Sequence, residues 1–183
     1  MSKKQKDILY KAIELFNEFG YSSVGIDRII AESKVAKMTF YKYFPSKDFL
    51  ITECLKERDQ LIRESILLSL EPISKENGFE RLKGIFDWFN HWFNQDNFHG
   101  CMFIKALDEL PYNTNSRNIS ILHKEWTVSL LQEVLQSMGL ENHQQLAFQM
   151  RMLLDGAIIH EKMFKDQRAI SAVWALVLQM IKA

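Results

Sequence analysis

Strand-like alternation is nowhere sustained in this chain, and its 183 residues include only three prolines and seven glycines. Sheets with many tight turns are therefore excluded, and helical periodicity covers most of the length, which predicts an all-α fold. Two cysteines, Cys54 and Cys101, are too few and too far apart for a disulfide scaffold or a four-ligand zinc site. No long apolar run exists either. The longest, Ala172–Leu178, falls far short of a membrane span, and the basic start Met-Ser-Lys-Lys-Gln-Lys leads into an amphipathic helix, unlike a signal peptide. A cytoplasmic protein without membrane association is expected. Net charge is also lacking, since 23 Lys/Arg balance 23 Asp/Glu. The balance is uneven along the chain, however: residues 1–50 hold nine basic and six acidic side chains. That is the sign expected if the N-terminal part meets phosphate and the remainder does not.

What is present begins with a helix start. Ser2 followed by Gln5 reads as a capping box, Ile8, Ala12, Leu15, Phe16 and Phe19 make one apolar face, and Gly20 supplies the stop. Ile26, Ile29 and Ile30 then recur at helical spacing up to Ser33-Lys34. A second short period, Val35, Phe40 and Phe44, is halted by Pro45. Two short helices joined by a few residues form the helix-turn-helix pattern, whose second helix can enter a DNA major groove. On a helical wheel Ala36, Phe40 and Phe44 share a packing side. Met38, Thr39, Tyr41 and Lys42 fall opposite, flanked by Lys37 and Tyr43. So small a three-helix unit is marginal alone and needs the next helix as a brace.

That helix is predicted from Lys47, capped by Ser46, to about Leu70 before Pro72. Further helices are predicted at about 78–94, from Gly100–Phe103 to near Pro111, at about 117–138 after a polar loop Asn113–Ser116, at 143–164 and at 169–181. The last two are apolar on more than one side. Ala147, Met152, Ile159 and Met163 lie outside the face made by Leu146, Met150, Leu153, Leu154, Ala157 and Ile158. Helices of this kind are buried on more than one side, which predicts a homodimer through 143–164 and 169–182.

Residues 4–50 resemble the DNA-binding domain of TetR/AcrR transcriptional regulators. The resemblance rests on Phe16-(x)2-Phe19-Gly20-Tyr21, on Ile26-Asp27-Arg28-Ile29-Ile30-Ala31, and on Val35-Ala36-Lys37-Met38-Thr39-Phe40-Tyr41-Lys42-Tyr43-Phe44-Pro45-Ser46-Lys47-(x)2-Leu50. It implies a helix-turn-helix domain over 1–46, with its motif at 25–44. An effector-binding and dimerisation domain over 47–183 would include a linking helix, 47–70. It further implies a regulator, a repressor by family expectation, released from a palindromic double-stranded operator by a small effector. Thr39, Tyr41 and Lys47 match family positions that hold backbone phosphates. Lys37 and Lys42 can donate to guanine O6/N7, Met38 or the Thr39 methyl can touch a thymine methyl, and Lys34 and Tyr43 complete the candidate DNA-binding set. Two departures stand out. Lys34 replaces the usual turn glycine, at about 1 kcal/mol if its backbone is left-handed. Ala36 replaces a capping Ser or Thr, at a similar cost of about 1 kcal/mol. Both predict a softer recognition helix.

Residues 79–103 hold eight of the 22 aromatics, which suggests an apolar effector pocket. Its candidate lining is Trp88, Phe89, Trp92, Phe93, Cys101, Phe103, Trp126, Met150 and His160. The alternative for these rings is plain core. The chain could instead be a constitutive DNA-binding regulator without a ligand, or a thiol sensor using Cys101. An enzyme has little support: His160-Glu161 lacks the second histidine of a zinc-protease helix, and there is no Gly-rich phosphate loop or nucleophile elbow. No catalytic residue, metal or cofactor is expected.

Overall fold

The computed structural model describes residues 1–182. Among them the chain folds into α1 (Lys3–Phe19), α2 (Ile26–Ser33), α3 (Lys37–Tyr43), α4 (Lys47–Leu70), α5 (Gly78–Phe93), α6 (Met102–Glu109), α7 (Thr114–Ser137), α8 (His143–Phe164) and α9 (Ala169–Met180), with no strand. The all-α expectation is met. Two compact units result, one from residues 1–61 with 101–123 and the other from 62–100 with 124–182, so α4 and α7 each serve both.

In the first unit, α1 starts where the sequence says it does: the Ser2 hydroxyl accepts from the Gln5 N–H at 3.3 Å. Ile8, Leu9, Ala12, Leu15 and Phe16 of α1 are buried, with Val24, Ile29, Phe40, Phe44, Leu50, Ile51 and Leu55. Phe19 departs from the expected core face. It is exposed, and the Arg28 guanidinium lies 4.1 Å from its ring centre. At the edge of so small a unit, a cation over the ring replaces core burial. The brace from α4 is present as expected: Ser46 Oγ caps it by accepting from Phe49 N at 3.1 Å, and Tyr10 donates to Glu57 at 2.7 Å.

A second brace comes from far along the chain. The Tyr21 hydroxyl donates to the Met102 carbonyl at 3.0 Å, the Lys105 ammonium reaches the Asn17 carbonyl, and Glu109 Oε2 accepts from the Ser22 N–H at 2.7 Å. The three bonds grip the end of α1 and the turn after it along the whole length of α6. Lys105 supplies positive charge where the carbonyl end of the α1 dipole wants it. Gly20 is required here twice over. Its φ of +84° belongs to the left-handed half of the map, and an added Cβ would stand 2.5 Å from Glu109 Oε1. Tyr21 is fully buried, and that burial pushes its phenol well above the ordinary range. It therefore stays a neutral donor.

The turn between α2 and α3 is a Schellman motif. Lys34 N donates to Ala31 O at 3.3 Å, Val35 N to Ile30 O at 3.4 Å, and Lys34 sits at φ 55°, ψ 38°. The left-handed lysine anticipated from the sequence is real. Replacing it with glycine removes the Cβ penalty, so Lys34→Gly is expected to raise stability by roughly 0.5–1 kcal/mol, read as a higher urea midpoint at unchanged slope. A lower midpoint would show that the lysine side chain compensates for its backbone.

The second unit packs α5 against α7 and α9. An added Cβ on Gly78 would lie 2.5 Å from the Met138 side chain, and the Phe86 and Trp174 rings are 5.2 Å apart. Phe89, Trp92, Phe93 and Phe98 form one continuous ring cluster with centroids 5.0 to 6.2 Å apart. The polar loop expected at 113–116 is mostly helix, because Asn113 Oδ1 accepts from Ser116 N at 3.0 Å and starts α7 at Thr114. Between α8 and α9 the backbone turns through left-handed Lys165 and Gln167. The buried Glu161 carboxylate accepts from Gln167 N at 3.0 Å there. Beside it, Arg168 holds the half-buried Asp166 carboxyl at about 2, below its ordinary value.

Candidate nucleic-acid interface

Residues 34–47 contain four lysines and no carboxylate. The fold spends its few apolar residues inward: Phe40 and Phe44 are buried and anchor α3. A seven-residue helix without a side-chain cap has little stability of its own, so packing of these two rings is what keeps it helical. Ala36, expected on the packing side, is exposed. It occupies the N-cap at φ −70°, ψ 145°, which turns it off the wheel of the helix that follows.

The opposite face is left open. Met38 is 88% exposed, a large apolar side chain with nothing of this unit against it, and Tyr41 is exposed beside it. Lys34, Lys37 and Lys42 are also exposed, while Thr39, Tyr43 and Lys47 are half-buried. The Lys42 ammonium lies 5.8 Å from the Tyr43 ring centre, and the Tyr41 and Phe40 rings meet edge to face at 5.4 Å. Lys47 is the first residue of α4, whose unpaired N–H groups and dipole also favour an anion. All eight candidate residues therefore lie on or next to one short surface made by the end of α2, α3 and the start of α4. The surface offers ammonium, hydroxyl and phenol donors, with methyl groups on Met38 and Thr39.

One participant is not visible in the sequence pattern. Asp27, in the first turn of α2, accepts from the Lys37 ammonium at 3.4 Å, both side chains being exposed. A pair so exposed contributes little to stability, but it competes with any anion for Lys37. Asp27→Asn is expected to raise affinity for DNA about two- to five-fold at low salt, measured by fluorescence anisotropy. Unchanged affinity would show that Lys37 does not meet DNA.

The candidate pocket residues are distributed over both units. Cys101 and Phe103 lie in the first. Cys101 is buried at the N-cap of α6, and Phe103 stacks on His123 at 3.8 Å, whose Nδ1 is 2.8 Å from Asp59. Cys54 is buried too, which pushes its thiol up and away from reactivity. In the second unit Trp88 bonds Ser65 at 2.9 Å and, with Phe89, Trp92 and Phe93, belongs to the ring cluster of α5. Trp126 lies under the Arg63 guanidinium at 5.0 Å, and Met150 is fully buried. His160 borders a groove of about 580 Å³ between α8 and α9. Among the described residues no group of three His, Cys, Asp or Glu side chains could hold a metal ion. None of the described helices is long and apolar enough to cross a membrane.

Comparison with known proteins agrees with this geometry. Residues 8–54 match the family model of bacterial regulatory proteins of the tetR family. An uncharacterized HTH-type transcriptional regulator of Bacillus subtilis, YuxN, is 42% identical over 55 residues, 30% of this chain and 19% of that protein. The Transposon Tn10 TetC protein of Escherichia coli is 35% identical over 75 residues, 41% of this chain and 36% of that protein. These matches thus span well under half of either relative. At the level of fold, a TetR-family transcriptional regulator from Streptomyces coelicolor superposes with a TM-score of 0.89 at 24% identity, over 98% of this chain and 94% of that one.

Proposed function

We propose that this chain, which belongs to the TetR family through its residues 8–54, binds double-stranded DNA in a sequence-dependent manner and regulates transcription. The observation that carries this reading is the face of α3: an exposed Met38 among lysines, on a helix whose other face is pinned by Phe40 and Phe44. Lys37, Lys42, Met38 and Thr39 read base edges in the major groove, with Lys34 and Tyr43 at its margin. Thr39, Tyr41 and Lys47 hold phosphates and fix the register. Residues 1–46 act as the reader, and residues 47–183 as the part that dimerises and responds to an effector.

Two readers are joined in a homodimer through 143–164 and 169–182. Supporting this, α8 leaves Phe148, Met152, Ile159 and Met163 exposed on the side away from its buried face, and α9 leaves Leu176 exposed. Twofold symmetry of the protein then demands a palindromic operator. The protein works in the cytoplasm as a repressor, and a small apolar or aromatic effector releases it, with the rings of α5 (Trp88, Phe89, Trp92, Phe93) at the effector site. An effector that lowers DNA affinity by a typical ~1–3 kcal/mol must itself bind the DNA complex more weakly by the same factor.

Selection of bound fragments from a random-sequence DNA library tests the reading. Enrichment of one inverted repeat, bound by a dimer in sedimentation analysis, is expected. Recovery of unenriched DNA, or a monomer at the concentrations used, would overturn it.

A further inference from the structure

One cavity of the first unit adjoins the start of α4 but includes none of the eight candidate DNA-binding residues. It is a groove of about 990 Å³ bordered by the first turns of α4 and by the connection from α6 to α7. It is open to solvent, and its volume is enough for a small molecule to lie against its wall. Two aromatic rings on its border are exposed: Tyr112 at 97% and Phe49 at 44%. A tyrosine left almost wholly in solvent on a connecting segment covers no core, and its ring face remains available to a ligand.

The charge of the groove selects that ligand. Among the described residues, Asp48, Glu53 and Glu109 line it against a single cation, Lys56. The Lys56 ammonium is already committed to Glu53 at 2.7 Å. Asp48 and Glu109 therefore leave an excess of negative charge, of which the Ser22 N–H meets only one Glu109 oxygen. Exposed amides of Asn115 and Asn118 add acceptor oxygens. For an anion, these carboxylates oppose the pull of the α4 N-terminus. A neutral molecule finds hydrogen bonds there, but nothing in it answers the charge. A cation with N–H donors and an apolar body satisfies every component: the carboxylates take the charge, the amides take the remaining donors, and the rings offer their negative faces.

We infer that this groove is a binding site for a small organic ammonium ion, with Asp48, Glu109 and Tyr112 as its principal contacts. The site contains none of the eight candidate DNA-binding residues, although Ser46 and Asp48 flank one of them, Lys47.

Calorimetric titration of the whole protein with phenethylammonium chloride, and in parallel with 2-phenylethanol, tests this. The two probes share size and ring and differ in charge. The ammonium is expected to bind at least about tenfold more tightly than the alcohol, and more weakly as salt is raised. Tyr112→Ala and Asp48→Asn are each expected to weaken it roughly three- to tenfold. Neither side chain is buried, so both variants should melt with the native protein in circular dichroism, which separates loss of the site from loss of the fold. Equal affinity for the two probes, or no ammonium binding below about 10 mM, would overturn the inference. Ammonium binding untouched by both substitutions would place the ion elsewhere and overturn it equally.

Discussion

Phe40→Ala should lower stability by about 3–5 kcal/mol and abolish DNA binding with it, whereas Met38→Ala, two residues earlier, should weaken binding while changing stability by less than about 0.5 kcal/mol. The contrast follows from one short helix having two incompatible duties. Phe40 is fully buried, its ring 6.1 Å from that of Phe44, and no cap or length holds α3 in place without them. Truncation removes a ring and leaves a cavity, and both effects act on a unit with little core to spare. Met38 has no such partner, so its removal costs the fold almost nothing and costs the interface an apolar probe. Urea denaturation with a gel-shift titration on the same samples separates the two. A stable Phe40→Ala protein that still binds DNA would mean α3 is held by something other than its rings.

Lys47→Ala is expected to weaken binding to every DNA sequence alike and to flatten the dependence of log affinity on log salt. The slope should fall by about 0.9 for each phosphate that is no longer neutralised, hence by about 1.8 for a dimer. Lys37→Ala and Tyr43→Ala are expected to behave differently: both should weaken operator binding with the protein still folded, and Lys37→Ala should also relax sequence preference, because a lysine at a base edge discriminates by roughly 1–3 kcal/mol. Fluorescence anisotropy over a salt series, on operator and scrambled duplexes, reads both quantities. A Lys47→Ala protein with an unchanged slope but blurred preference would move that residue from the phosphate backbone to the bases.

Much of this was legible because the signals are local. The Ser2–Gln5 cap, the stop at Gly20, the cap on α4 by Ser46 and the left-handed backbone at Lys34 each depend on residues within a few positions, and each appears where the sequence puts it. Periodicity also separates the two sides of α3 at Phe40 and Phe44. It fails at Ala36 and Phe19, which sit at helix ends, where the wheel no longer describes direction and a neighbouring cation can replace core. It is blind to the grip of α6 on the reader. Tyr21 and Met102 are 81 positions apart, and no repeat or spacing connects residues so distant. The pocket residues suffer the same limit: an aromatic-rich stretch announces burial, but whether its rings face each other or a ligand is a long-range matter.

The grip of α6 also bears on how the molecule is made. The unit carrying α3 closes only with residues 101–123, and its Tyr21 hydroxyl and Ser22 N–H find their partners there. A ribosome adding roughly 5–20 residues per second needs about 4–16 s to travel from Pro45 to His123. For that interval the reader waits with part of its core uncovered. A chain broken off before α6 therefore presents apolar surface to the cell in place of a DNA-binding head, and becomes a substrate for chaperones and proteases.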